Sequence, residues 1–150
     1  MAYAESYAKT SKKWGPAIWK AKEMWSKVIP REYRGGAAVH LMNPSITPPG
    51  VTTASMAAHI HELGPGEHTN AHRHMNEAVI YIVSGRGYSV IDGQRFDWEE
   101  GDLLCVPPMA EHAHYNADKE KPFRYLAVTN NPLMEALRIE RKVESKLGEI

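Results

Sequence analysis

From Thr52 onward the apolar residues come in short runs, each closed by glycine, proline or an acidic residue. This is the pattern of closely spaced β-strands. It predicts strands over residues 55–62, 74–83, 87–91, 94–98, 103–106, 113–116 and 123–128. Turn residues separate them at Gly64-Pro65-Gly66, Ser84-Gly85, Asp92-Gly93 and Gly101-Asp102. Asp92-Gly93 between two short runs predicts a tight hairpin, because both positions tolerate positive φ. Many short, regularly spaced strands fold as a sandwich or a closed barrel.

The flanks read differently. Trp14, Ile18, Ala21, Trp25 and Val28 recur at alternating four and three, one stripe of an amphipathic helix opened by Gly15-Pro16 and ended by Pro30. Gly35-Gly36 leads into a strand over 37–42, and a proline-rich connector over 43–50 follows. Asn131 as N-cap, with Pro132 at the first helical position, starts a C-terminal helix that ends near Gly148 and packs Leu133 and Leu137 outside the strands. Residues 1–51 are expected to pack as a helix and lead-in strand on a core of 52–130, with 131–150 as the closing helix of one domain.

Composition narrows the function. The chain has 150 residues, with 18 basic and 18 acidic side chains. That length suits one domain, and the balance implies neither nucleic acid nor a membrane surface as partner. The single cysteine, Cys105, excludes an intramolecular disulfide and sits in the apolar run 103–106, where a small buried hydrophobe is expected. The polar N-terminus lacks the apolar core of a signal peptide, and no segment is apolar enough to span a membrane, so the expected location is the cytoplasm.

Histidines carry the candidate chemistry. His72 and His74, in Ala71-His72-Arg73-His74, share one face of a strand by their two-residue spacing. His112 lies in the segment Pro107-Pro108-Met109-Ala110-Glu111-His112-Ala113-His114-Tyr115-Asn116 and supplies a third imidazole from a distant strand. Three neutral imidazoles form a facial set for a divalent metal, with positions left for water or substrate.

These segments resemble the two motifs of the cupin family. Gly66, His72, His74 and Gly85 stand in register with the first motif, and Gly101, Pro107, His112 and Asn116 with the second. Met109 replaces the second motif's turn glycine, and Ala78 stands where the first motif has a metal-binding carboxylate. Glu77 is one residue early. On an unbroken strand it points away from His72 and His74, giving a three-histidine site; a β-bulge would reverse its parity and give a His-His-Glu-His set. The local strings Pro65-Gly66-Glu67, Ala71-His72-Arg73-His74 and Ala78-Val79 look most like gentisate-type ring-cleaving dioxygenases, which carry two cupin units.

The resemblance implies an all-β double-stranded β-helix, or jelly-roll barrel, with N- and C-terminal helices. It implies a metal at His72, His74 and His112, iron(II) first, with manganese, nickel, copper and zinc as alternatives. The expected activity is a dioxygenase cleaving a C–C bond of a small anionic hydroxylated aromatic or dicarbonyl compound. A metal-dependent isomerase, lyase or decarboxylase, and a non-catalytic binding module, are the alternatives. His114 shares the inward face with His112, which suits a hydrogen bond that supports the site or a general base acting on bound substrate, with an ordinary barrel-lining histidine as the alternative. His59 and His61 read as core polarity or a pocket wall, Arg73 and Arg86 as surface residues, and Tyr81 and Tyr88 as packing. The apolar stripe of the N-terminal helix makes a homodimer the expected assembly.

Overall fold

The computed structural model describes residues 18–27, 29–30, 36–45 and 52–144. A short helix α1 (Ala21–Trp25) precedes strands β1 (Ile29–Pro30), β2 (Ala37–His40), β3 (Ala57–Leu63), β4 (His72–His74), β5 (Ala78–Ser84) and β6 (Arg86–Ile91). Then come β7 (Gln94–Glu99), β8 (Leu103–Val106), β9 (His112–Asn116), β10 (Phe123–Thr129), helix α2 (Asn131–Ala136) and β11 (Lys142–Glu144). The strands form two antiparallel sheets, one of six strands in the order β1-β2-β3-β10-β5-β8 and one of five in the order β11-β4-β9-β6-β7.

Strict alternation explains how the sheets face each other. In β10, Phe123, Tyr125, Ala127 and Thr129 are buried; in β5, Ala78, Ile80 and Ile82 are buried while Val79 and Tyr81 face out. The inner faces meet in a core of Leu63, Ile82, Val106 and Phe123 from the larger sheet with Ile91 and Trp98 from the smaller one. Trp98 stacks on Phe123 with ring centroids 4.1 Å apart. Gly87 makes this possible, since a Cβ there would collide with the Tyr115 carbonyl and the Trp98 ring. The Asp92-Gly93 hairpin forms as expected, with φ of 46° and 79°.

Asn116 ties two loops to the end of β9. Its Nδ2 donates to the Gly64 and Lys121 carbonyls at 2.9 Å and to that of Leu63 at 3.2 Å, while Oδ1 accepts the Asp118 amide at 2.9 Å. Met109, in the place of a turn glycine, takes a glycine's left-handed φ of 61°. Strain of about 1–2 kcal/mol is the usual consequence.

The flanks depart from expectation. Helix α1 covers only Ala21–Trp25, Ile18 is 63% exposed, and Pro30 pairs with Ala37 instead of merely stopping a helix. Trp14, Gly15, Pro16 and Val28 lie outside the described residues, so the apolar stripe is described only in part. Trp25 lies under the Arg124 guanidinium, 5.0 Å from the ring centroid. At the other end α2 stops at Ala136, Arg138 takes a φ of 58°, and the chain returns as β11 along β4. The expected continuation to Gly148 is thereby overturned up to Glu144, because the open edge of β4 offers hydrogen bonds that a helix could not use; Gly148 itself lies outside the described residues. Leu133 and Leu137 lie at the surface, Leu137 57% exposed. Cys105 is exposed, not buried: on β8, at the sheet edge, Val106 takes the inward position. No helix among the described residues is long and apolar enough to cross a membrane.

Candidate metal centre

Strand β4 is three residues long and presents His72 and His74 on one side, as the two-residue period requires. His72 pairs directly with His112 of β9. The Thr69 Oγ1, accepting the His114 amide at 2.9 Å, and the His74 carbonyl, accepting the Met109 amide at 2.7 Å, extend the β4 to β9 contact on either side. The rings of His72 and His112 lie 4.3 Å apart between centroids, those of His74 and His112 4.7 Å, and those of His72 and His74 5.5 Å. One nitrogen from each ring falls within 4.8 Å of the other two. That is a spacing one ion can bridge.

Backbone carbonyls decide which nitrogen is offered. Nδ1 of His72 donates to the Asn70 carbonyl at 2.9 Å, that of His74 to Asn76 at 2.7 Å and that of His112 to Ala110 at 2.9 Å. A carbonyl only accepts, so the hydrogen sits on Nδ1 and the lone pair on Nε2 in all three neutral rings. The same bonds fix each ring's orientation. Burial pushes the His112 pKa down to about 2, aided by the charges that His114, His72 and His74 would carry if protonated. The neutral, metal-binding form therefore dominates.

The expected continuous strand over 74–83 is broken at 75–77, yet the parity argument reaches its end point. Glu77 is exposed and its amide donates to Asn130 Oδ1 at 2.9 Å, whereas Ala78 is buried and lines the cavity beside the histidines. A methyl group thus stands where a fourth protein ligand could have been. Glu77→Gln is expected to leave metal content unchanged by elemental analysis; loss of most of the metal would reveal a carboxylate ligand that swings inward.

The cavity is narrow, with a volume of about 50 Å³, and is partly open to solvent. Its far wall comes from β3 and β10: His59, His61, Tyr125 and Thr129 face the three imidazoles across the barrel. His61 lies flat on Tyr125, centroids 4.5 Å apart and planes 2° from parallel. His59 and His61 are therefore pocket wall, one of the two roles expected for them. Tyr125 and Thr129 escaped the sequence reading, although the alternation of β10 from Phe123 onward was the available clue. Thr129 Oγ1 is buried without a hydrogen-bond partner, an orphan that a bound ligand could satisfy.

His114 also lines the cavity and is buried, which lowers its pKa to about 3. Arg73, Arg86 and Arg124 stay outside. Arg73 pairs with Glu111 at 2.8 Å, Arg124 with Glu62 at 2.6 Å, and Arg86 is 73% exposed near Asp118. Tyr81 faces out, and Tyr88 stacks on Tyr115 beneath Arg95. Among the described residues, those that line the cavity include no carboxylate, lysine or arginine.

Residues 59–129 match the family model for the cupin domain. This stretch of the chain is a cupin domain. Among curated relatives, the chain is 35% identical over 108 residues to a 5-aminosalicylate 1,2-dioxygenase from Comamonas sp, covering 71% of this chain and 28% of the relative. It is 30% identical over 134 residues to a gentisate 1,2-dioxygenase from Streptomyces sp, covering 81% and 36%. The chain thus spans about a third or less of these relatives' length. Among solved structures, the salicylate 1,2-dioxygenase of Pseudoaminobacter salicylatoxidans with gentisate superposes with a TM-score of 0.71 at 23% identity, over 79% of this chain and 31% of that one. The plu4264 protein of Photorhabdus luminescens gives 0.62 at 17% identity, over 82% and 96%. Both share the fold. The expected all-β cupin architecture and the likeness to gentisate-type dioxygenases are confirmed.

Proposed function

We propose that this cupin is a metal-dependent ring-cleaving dioxygenase acting on a small hydroxylated aromatic carboxylate, with iron(II) held by Nε2 of His72, His74 and His112. The observation that carries this reading is the donor set: three neutral imidazoles pinned at Nδ1, with the Ala78 methyl in place of a fourth ligand. Such a set suits iron(II), which when bound supplies adjacent open positions for an organic anion and dioxygen.

The chain's own residues do the rest. Among the described residues no carboxylate lines the cavity, so its described wall carries no negative charge to repel an anionic substrate. The stacked pair His61 and Tyr125 offers a flat wall against which an aromatic ring can rest, and Thr129 Oγ1 offers a hydroxyl. Three of the four relatives named above are a 5-aminosalicylate, a gentisate and a salicylate 1,2-dioxygenase, and these names support the substrate class.

The test is dioxygen consumption. Metal-free protein is loaded with iron(II) without air and given gentisate, salicylate or 5-aminosalicylate, beside a His72→Ala control. Uptake well above the control with at least one compound is the expected result. Uptake no greater than the control across the panel, with zinc or manganese as the native metal, would overturn it in favour of a non-redox isomerase, lyase or decarboxylase.

A further inference from the structure

His114 sits two residues from His112 on β9 and lines the same cavity, but its hydrogen bonding is reversed. Its Nδ1 meets no carbonyl. It meets the hydroxyl of Ser89, 2.8 Å away on the neighbouring strand β6, and Ser89 is fully buried. The same hydroxyl oxygen accepts the indole N–H of Trp98 at 2.9 Å.

A serine hydroxyl has one hydrogen to donate and two lone pairs to accept with. If His114 donated from Nδ1, the Ser89 oxygen would accept twice and its own hydrogen would be buried with no acceptor. An unsatisfied buried donor costs about 1–3 kcal/mol. If Ser89 donates to Nδ1 instead, all three groups are satisfied in one chain: Trp98 N–H to Ser89 Oγ, then Ser89 O–H to His114 Nδ1. A buried imidazole without a carboxylate partner is neutral, so its hydrogen then resides on Nε2, the nitrogen left for the cavity.

We infer that Ser89, its oxygen anchored by the Trp98 indole, is a positioning residue that holds His114 in the Nε2–H tautomer, making it a hydrogen-bond donor to an anionic oxygen of the bound substrate. The three imidazoles beside it present a lone pair to the same cavity, and His114 presents a proton. This departs from the general-base role that the sequence suggested, since a neutral Nε2–H has no lone pair in the cavity with which to accept one. The choice of an anionic substrate rests on the proposed function; the tautomer rests on the Trp98-Ser89-His114 geometry alone.

Long-range proton–nitrogen NMR of histidine-labelled, zinc-loaded protein reads the tautomer of each ring directly. The expected spectrum has His114 protonated on Nε2, with His72, His74 and His112 protonated on Nδ1. Protonation of His114 on Nδ1 would overturn the inference. In Ser89→Ala the fixed pattern of His114 is expected to give way to a mixture or to the Nδ1–H form, and an unchanged pattern would also overturn it. Should Ser89→Ala fold poorly, Ser89→Cys serves the same end: it keeps the side chain's shape but sets a weak S–H donor against Nδ1, so His114 should again lose its single tautomer, and an unchanged pattern there would overturn the inference. Salicylate binding to the zinc form is expected to weaken about tenfold in Ser89→Ala, the scale of one hydrogen bond to a charged group; equal affinity in the two proteins would remove the donor role. If the spectra and salicylate affinities come out as expected while the iron form consumes no dioxygen, the dioxygenase reading fails and the His114 assignment stands.

Discussion

Replacing His112 by alanine is expected to strip most of the metal from the purified protein, with an affinity loss of at least about 100-fold, and to abolish the dioxygen uptake proposed above. Loss of a group that merely orients a ligand already costs roughly 10–100-fold in affinity, and here the ligand itself is removed. The two remaining imidazoles are held by β4 and its flanking turns, so they cannot close around the gap. The fold is expected to survive, because the core of Ile82, Trp98 and Phe123 does not depend on His112, whose side chain borders an existing cavity. Elemental analysis beside near-ultraviolet circular dichroism separates the two effects. Full metal occupancy in a folded His112→Ala protein would remove His112 from the ligand set.

A second large effect is expected at a residue that touches no ligand. In Gly87→Ala the new methyl meets the backbone carbonyl of Tyr115 and the far end of the Trp98 indole. The indole is stacked on Phe123 and hydrogen-bonded to Ser89, so it has little freedom to move, and the carbonyl belongs to the strand that carries His112 and His114. Overpacking of this kind costs about 3 kcal/mol, and for a domain of this size that lowers the melting temperature by roughly 10 °C. Gly93→Ala is the control: its Cβ enters open space and meets only the penalty of a positive φ. Equal melting temperatures for the two variants would mean that the smaller sheet yields and that Gly87 is not a packing constraint.

Where the chain's information is local, it was legible. The strands at 78–83 and 123–128, the Asp92-Gly93 hairpin and the shared face of His72 and His74 follow from short apolar runs, turn chemistry and two-residue spacing, and the structure keeps all three. The family motifs brought His112 alongside His72 and His74, which no local pattern could have done across so many intervening residues. What was missed depends on neighbours. Cys105 lies in an apolar run, but whether its face is covered depends on β8 being a sheet edge, which the run itself does not encode. The break at 75–77 escaped because the residues beyond it resume the same parity, and the sequence after Ala136 lost its expected helix to a strand pairing with a segment far away. His114 was placed on the right face, but its tautomer depends on Ser89 and Trp98, two residues that carry no motif.

The pairing of β11 with β4 reaches beyond architecture. Lys142, Val143 and Glu144 lie opposite His74, Arg73 and His72, and the Arg141 carbonyl accepts the Met75 amide at 2.8 Å. The strand bearing two of the three candidate ligands is therefore clamped on one flank by the C-terminal segment. Trimming the chain after Ile139, or fusing a bulky tag close behind Glu144, would loosen the grip on metal from a point remote in sequence, so the choice of expression boundary becomes a variable in any measurement of metal content.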